Sequence, residues 1–273
     1  MEEQYIELLK HIVQHGRTRQ TRNGTVKSIF GATLECDLAD GFPLLTTKKM
    51  FWRGIVEELS WFLRGSTNVQ ELREKKIHIW DGNSEHLNYD AGPVYGFQWR
   101  HFGAVYTDCH ADYDGKGHDQ IASIIHLLKT DPYSRRMVLS AWCPSQQEQM
   151  CLPPCHVMYQ FYVEHDERVS CMMTQRSADV FLGLPFNIAS TALLTHLIAE
   201  NVGRKAGRLL IQVGDAHVYK EHYNVCQKQI ANTIMSMPTI RVLRSSDNLQ
   251  FNSEDVVLIN YKSNGLLKAP MKS

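Results

Sequence analysis

A cysteine held between two prolines and a histidine, Leu152-Pro153-Pro154-Cys155-His156, is the residue of this chain best placed to act as a nucleophile. Each proline fixes its own φ and pushes the residue before it out of the helical region, so Cys155 leaves a rigid extended segment. Val157, Tyr159, Phe161 and Val163 alternate after it, which predicts a strand with the thiol pinned at its mouth. Further on comes Gln175-Arg176-Ser177-Ala178-Asp179, then Gly183-Leu184-Pro185-Phe186-Asn187. A thiolate needs positive charge nearby to bring its pKa down from roughly 8.5, and Arg176 can supply it. Arg176 with Ser177 also makes a phosphate grip, because the guanidinium fork matches phosphate oxygens. The amide of Asn187 donates and accepts at once, which suits a base edge with neighbouring C=O and N–H groups. A nucleophile, a phosphate clamp and a base reader within one stretch point to covalent chemistry on a nucleotide.

Other residues carry two readings each. Glu58 lies in an apolar helix near Trp52 and Trp61. It is either turned outward on a polar face or buried, and burial would raise its pKa toward the general-acid range; Glu57 is the more ordinary charge. His217 and Tyr219 alternate on one face at the end of a buried strand and could fix a ribose hydroxyl. Arg135 and Arg136, just before the strand Met137–Trp142, read as solvated charges, and Trp80 as a core aromatic. His110, His118, Asp108 and Asp114 lie in a polar stretch whose irregular spacing favours a surface loop over a metal site. His196, inside an apolar helix, reads as packed rather than catalytic.

The elements that must position these groups follow from periodicity. Tyr5, Leu8, Leu9, Ile12 and Val13 share one face of a helix over 2–15. A polar loop is expected at 16–24, with Asn23-Gly24 as its turn, followed by strands at 26–31 and 33–38. Helices are expected near 50–64, 119–129, 188–202 and 220–233. Residues 77–81 read as strand-like, 91–104 as a Gly-rich turn, 209–219 as a buried strand, and 239–243 and 256–260 as further strands. The chain has 273 residues, 43% apolar and 21% charged, with Lys+Arg and Asp+Glu balanced at 29 each. That composition is globular, and its zero net charge argues against a dedicated nucleic-acid binder or a membrane-surface protein. Seven scattered cysteines without CxxC pairs favour neither a disulfide framework nor a zinc site and suggest a reducing, cytoplasmic home. No run approaches the ~20 apolar residues of a membrane span, and the acidic-flanked amphipathic start does not resemble a signal peptide. Repeats, low-complexity segments and linkers are not evident, so one domain over 1–273 is expected.

LPPCH, QRSADVFLGLPFN and GDAHVY together resemble the thymidylate synthase family, with similarity from about Ile6 to Pro270. The resemblance implies an α+β fold, a mixed β-sheet flanked by helices, in a sheet-to-sheet homodimer. It implies a methyltransferase that turns deoxyuridylate (dUMP) into thymidylate through a Cys155 adduct, with 5,10-methylenetetrahydrofolate as co-substrate and no metal, flavin or nicotinamide. By the same resemblance Glu58 is the catalytic glutamate, and Tyr95 and His156 assist removal of the carbon 5 proton. Arg22 joins Arg176 and Ser177 on the phosphate, His217 and Tyr219 hold the ribose, and Asn187 reads the base. Ile79, Trp80, Leu152, Asp179, Leu182, Gly183 and Phe186 match folate contacts; Asp179 also stands beside substrate and reacting atoms. Arg135 and Arg136 would cross to the partner's phosphate, which makes the dimer obligatory.

Three departures stand out. The family's Arg-Thr-Gly-Thr-Gly-Thr loop is here Arg-Asn-Gly-Thr-Val, one residue shorter at Arg22. Trp-Asn-Pro is Trp142-Cys143-Pro144, a change expected to alter local hydrogen bonding only. The tail, which in the family folds over the cofactor, ends in Lys272 and Ser273 rather than in a small residue and an aliphatic one, so looser closure is expected, with Lys272 over the folate. A rival reading is a deoxyuridylate hydroxymethylase, in which water takes the place of hydride; Asn187 favours a uracil edge, and Trp80 favours the hydride route. A second rival, from another class, is a nucleotide- or RNA-binding regulator without turnover, and a secondary RNA interaction stays compatible with the sequence.

Overall fold

In a computed structural model of the chain, described here for residues 1–243 and 249–272, the sequence runs through these elements in order. They are α1 (Glu2–His15), β1 (Arg17–Thr21), β2 (Gly24–Asp37), α2 (Trp52–Leu63), α3 (Gln70–Glu74), α4 (Asp81–Ser84), α5 (Tyr95–His101) and α6 (Gln120–Thr130). There follow β3 (Val138–Ser140), β4 (His156–Val163), β5 (Val169–Asp179), α7 (Gly183–Asn201), β6 (Ala206–Tyr219), α8 (Tyr223–Ile230), β7 (Thr239–Val242) and β8 (Val256–Ile259). Six strands form one sheet in the order β1-β2-β6-β5-β4-β3, and β7 pairs with β8 in a small ribbon. All pairings in the large sheet are antiparallel except β5 with β6, so the sheet is mixed.

One face of the sheet carries the core. Leu209, Ile211 and Val213 of β6 and Tyr159, Phe161 and Val163 of β4 point inward. There β5 and β6 meet α7, whose Leu184, Ile188, Leu193, Leu194, Leu197 and Ile198 are buried. α7 is apolar nearly all round, as expected of a helix packed on several sides. α1 lays its Tyr5–Leu9–Ile12 face against β2 and α8. The opposite face of the sheet stays open, with Phe30 91% and Tyr162 54% exposed.

Pairing is interrupted along a line that crosses the sheet. It skips Gly31 in β2, Gly214 in β6 and Arg176 in β5, and slips by one residue between His156 and Met158 in β4. Gly31 has φ +87°, and a Cβ on Gly214 would stand 2.7 Å from the Arg176 carbonyl. The slip in β4 is a bulge, which bends its strand and re-aims side chains, whereas the skips at Gly31, Gly214 and Arg176 keep the register. The bend brings the start of β4 and the end of β5 to one rim.

Several expectations need correction. The 16–24 loop is a hairpin, with β1 as a wholly exposed edge strand and only Arg22 and Asn23 in the turn. The two strands expected at 26–31 and 33–38 are one continuous β2. Residues 77–81 are not a strand: Lys76 at φ 59° turns the chain, and Asp81 begins the single helical turn α4. The Gly-rich turn at 91–104 contains α5, where Gly96 is needed because a Cβ there would lie 2.4 Å from the Phe62 carbonyl of α2. Val157 does not share the buried face of Tyr159, because the bulge resets the alternation.

Candidate active site

The rim opens into a cavity of about 530 Å³, within the range of ligand-binding pockets. Cys155 stands at its floor, immediately before β4. β5 contributes Arg176, Ser177 and Asp179; the first turn of α7 contributes Gly183, Phe186 and Asn187, with Leu182 just ahead. β6 ends at the wall with His217 and Tyr219, the β1–β2 turn adds Arg22, and α2 adds Glu58. Ile79 and Leu152 line an apolar side, and Met271 and Lys272 lie at its margin. Ser273 lies outside the described residues. A narrower recess of about 210 Å³ continues inward past Trp80, Tyr95 and His156. Of the residues expected at the site, Arg135 and Arg136 alone line neither space; both are exposed. Asn23, Asn83 and Met271 line the cavity without having been expected there. Asn23 and Asn83 sit in short turns and carried no periodic signal.

The nucleophile is held from three sides. Its N–H donates to the Tyr95 hydroxyl at 2.7 Å, and its carbonyl accepts from the Arg176 N–H at 2.8 Å. The Arg176 guanidinium donates to the carbonyls of Pro154 and Pro153, both at 2.8 Å, and lies 5.6 Å from the Trp142 ring. The arginine therefore braces the proline turn and remains beside the sulfur. Burial pushes the Cys155 thiol up; Arg176 and the Tyr95 hydroxyl pull it down without cancelling the burial.

Two adjacent carboxyls behave in opposite ways. Glu57 is the more buried, yet it pairs with Lys75 at 2.7 Å. Burial pushes its carboxyl up, but hydrogen bonds from Lys75 and Ser253 and the lysine charge leave it below the ordinary range. Among the described residues no cation stands against Glu58. Burial raises it from 4.5 to about 7, opposed only by the Trp80 indole N–H, which donates to its Oε1 at 2.7 Å. Of the two readings of Glu58, the inward one is correct.

Asn187 is pre-oriented. Its Oδ1 accepts from Gln175 Nε2 at 3.0 Å, and Gln175, 2% exposed, also donates to the Ser177 carbonyl. The Asn187 Nδ2 is left to face a ligand carbonyl. Asp179 Oδ1 accepts the N–H groups of Phe181 (2.9 Å) and Leu182 (3.1 Å), fixing the turn that starts α7. His156 is buried and stacks on Tyr95 with centroids 4.1 Å apart, and its Nδ1 meets the Tyr159 hydroxyl. Burial lowers its pKa to about 3, so it is a neutral ring behind Tyr95. Trp80 combines both of its readings: packed among Trp61, Phe62 and Tyr95, it also faces the inner recess. His196 is packed in the core as expected.

Among the described residues no group of three or more His, Cys, Asp or Glu side chains gathers as a metal site, and no helix is long and apolar enough to cross a membrane.

A sequence model of the family described as "Thymidylate synthase" matches residues 3–273. The chain is 49% identical to a bifunctional dihydrofolate reductase-thymidylate synthase of Zea mays over 95% of its own length and 52% of that protein. It is 45% identical to the bifunctional protein of Paramecium tetraurelia (99% of this chain, 61% of the relative) and 45% to that of Leishmania major (99% and 55%). The chain thus spans between half and two thirds of the length of these relatives.

Proposed function

The chain belongs to the thymidylate synthase family, and on that premise we propose that it converts deoxyuridylate to thymidylate, taking carbon and hydride from 5,10-methylenetetrahydrofolate and releasing dihydrofolate. The observation that carries this reading is the convergence of a braced thiol, a high-pKa carboxyl, an oriented amide and two arginines on one cavity. One catalytic unit over 1–273 is proposed. Its apolar side, formed by Ile79, Leu152, Leu182 and Phe186, offers a surface on which a flat heterocycle can stack beside the nucleotide.

Arg22, Arg176 and Ser177 hold the phosphate, and His217 and Tyr219 hold the ribose, so binding energy is used for orientation. The Cys155 thiol gives up its proton and the sulfur adds to carbon 6 of uracil; the C5=C6 electron pair moves toward O4, which makes carbon 5 nucleophilic. Asn187 donates to O4 and accepts from N3–H, and Glu58 delivers a proton toward O4 through water, stabilising the charge that develops there. The folate supplies the methylene that carbon 5 takes up and the hydride that reduces it to methyl. Tyr95, which lines the inner recess, assists loss of the carbon 5 proton in this reading; His156, with a pKa of about 3, is too weak a base for that and holds the tyrosine ring. The sulfur then leaves carbon 6.

A homodimer through the open sheet face is proposed as well. Exposed Phe30 borders a hollow of about 590 Å³ on that face, shared with Val157, Thr174 and Gln212, and an uncovered apolar sheet face of this kind favours a partner. Exposed Arg135 and Arg136, away from their own cavity, are then free to reach the partner's phosphate site. All seven cysteines stand as free thiols, which fits a reducing compartment.

Deoxyuridylate tritiated at carbon 5, supplied with methylenetetrahydrofolate, tests the reaction. Tritium release matched by dihydrofolate absorbance is expected. Tritium release without dihydrofolate would replace this reading with hydroxymethylation, and absence of both would end it.

A further inference from the structure

The chain leaves β6 at Tyr219 and turns through one 3-10 turn, Lys220–His222. The last residue of that turn is a histidine with 0% exposure, an unusual place for a titratable ring. Its imidazole lies against the rings of Phe181 and Tyr219, at 5.6 and 5.5 Å. Nε2 is 2.9 Å from the Pro270 carbonyl oxygen, and Nδ1 is 3.7 Å from Asp179 Oδ2. A carbonyl only accepts, so Nε2 carries a hydrogen. A neutral ring would then turn the bare lone pair of Nδ1 toward a carboxylate, a repulsive contact that a proton on Nδ1 converts into attraction. The groups facing the ring are the Asp179 carboxylate from β5, the Pro270 carbonyl from the tail, and Glu221 beside it in the chain, and burial is outweighed by the acceptors so that the ring titrates above its ordinary value. The neighbouring residue makes a second tie: Lys272 Nζ donates to Glu221 Oε1 at 2.6 Å.

We infer that His222 is a positioning residue that couples the Asp179 carboxylate to the 270–272 segment at the margin of the site, with the Glu221–Lys272 pair as the outer anchor; its effect on turnover rests on the folate-dependent reading of that site. Asp179 is held at one oxygen by the turn that starts α7 and faces His222 with the other. Met271, between the two tied residues, lines the cavity. A ligand that engages Asp179 is therefore linked to the segment beside it through a single buried ring. The tie also accounts for the polar end of the chain. Lys272 has a carboxylate of its own to meet, so the lysine supports closure where the sequence suggested a looser lid.

Two amide substitutions separate the two nitrogens, because an asparagine amide reaches about as far as Nδ1 and a glutamine amide about as far as Nε2. Hydrogen exchange of residues 266–272, followed by mass spectrometry on the full chain without ligand, is the primary readout. His222→Asn is expected to speed exchange about five-fold, the worth of one net hydrogen bond, while His222→Gln stays within about two-fold of the parent. In turnover, His222→Asn is expected to raise KM for the folate and to let tritium release exceed dihydrofolate, with KM for deoxyuridylate unchanged. Equal exchange in the two variants, or no acceleration in His222→Asn, overturns the inference. Should His222→Asn not fold, Glu221→Gln takes its place: acceleration at Lys272 that added salt reproduces in the parent supports the latch, and exchange unchanged in both overturns it. If the parent shows no turnover, the reading of the site fails while the exchange comparison still decides the latch.

Discussion

Replacing Glu58 by glutamine should make the protein more stable, and increasingly so as the pH rises. The carboxyl is raised from 4.5 to about 7 by burial, opposed by the hydrogen bond it accepts from the Trp80 N–H. A group whose folded pKa lies above its unfolded value contributes stability that is fully present below the unfolded pKa and is lost as pH rises through the folded one. The window here runs from 4.5 to about 7. At about 1.4 kcal/mol per unit the full loss is about 3 kcal/mol, an upper bound because Glu58 borders an open cavity that water can enter. Glutamine keeps the shape and still accepts the indole N–H, but it does not titrate. Urea unfolding of both proteins at pH 5 and pH 8 should show the variant's advantage growing by about 2 kcal/mol between the two. Comparison with the parent at each pH cancels every other titrating group. The same substitution should slow tritium release by at least about 100-fold. An advantage equal at both pH values, or shrinking toward pH 8, would refute the assignment of a raised pKa to Glu58.

Further outcomes follow from the same geometry. Asn187→Asp should move preference from deoxyuridylate toward deoxycytidylate, since the carboxylate accepts from an exocyclic amine but cannot donate to O4; competition between the two nucleotides in the tritium assay checks this. Arg176→Lys should leave the Pro153 and Pro154 carbonyls without a two-pronged donor and raise the Cys155 thiol further, so that alkylation by iodoacetamide at pH 7 slows about ten-fold. Mixing an inactive Cys155→Ser chain with an inactive Arg135→Ala/Arg136→Ala chain should restore activity, because one site of the mixed dimer then has both its own thiol and the partner's arginines. Mixed dimers that form and stay inactive would remove the crossing-over of these arginines.

What the sequence disclosed of the fold depended on how purely each element served packing. α1, α6 and β6 bury clean apolar faces; α1 and α6 were predicted within a residue of their observed spans, and β6 lacked only its first three residues, Ala206 to Arg208. β5 carried no such pattern. Its residues Thr174, Gln175, Arg176 and Ser177 are polar because they build the site and the bend beside it, so the strand that bears the most chemistry was the least visible. β1 is exposed along its whole length and is a strand only because β2 pairs with it. At 77–81 the alternation of Ile77 and Ile79 imitates a strand, although Ile77 is buried under a local turn and half-buried Ile79 lines the cavity. Gly96 shows the converse: in sequence it marks a turn, in the structure a close approach of two helices.

The site itself shows why residue type without burial leaves chemistry undecided. Glu57 and Glu58 are adjacent, equally acidic and on one apolar helix, and sequence alone left the inward reading of Glu58 unresolved. The structure separates them by their partners. Lys75 reaches Glu57 and keeps it ionised even though it has little exposed surface; among the described residues nothing positive reaches Glu58, so burial there raises its pKa. The same contrast runs through the histidines. His156 and His222 are both buried, but His156 meets only neutral groups and is pushed down to about 3, whereas His222 faces Asp179 and is held above its ordinary value. Depth alone would have given all four groups the same direction of change, toward neutrality. The identity of the nearest charge decides which of them can move a proton near neutral pH and which can only hold a shape. That charge arrives in each case from a distant part of the chain: Lys75 at the end of α3 for Glu57, and Asp179 at the end of β5 for His222.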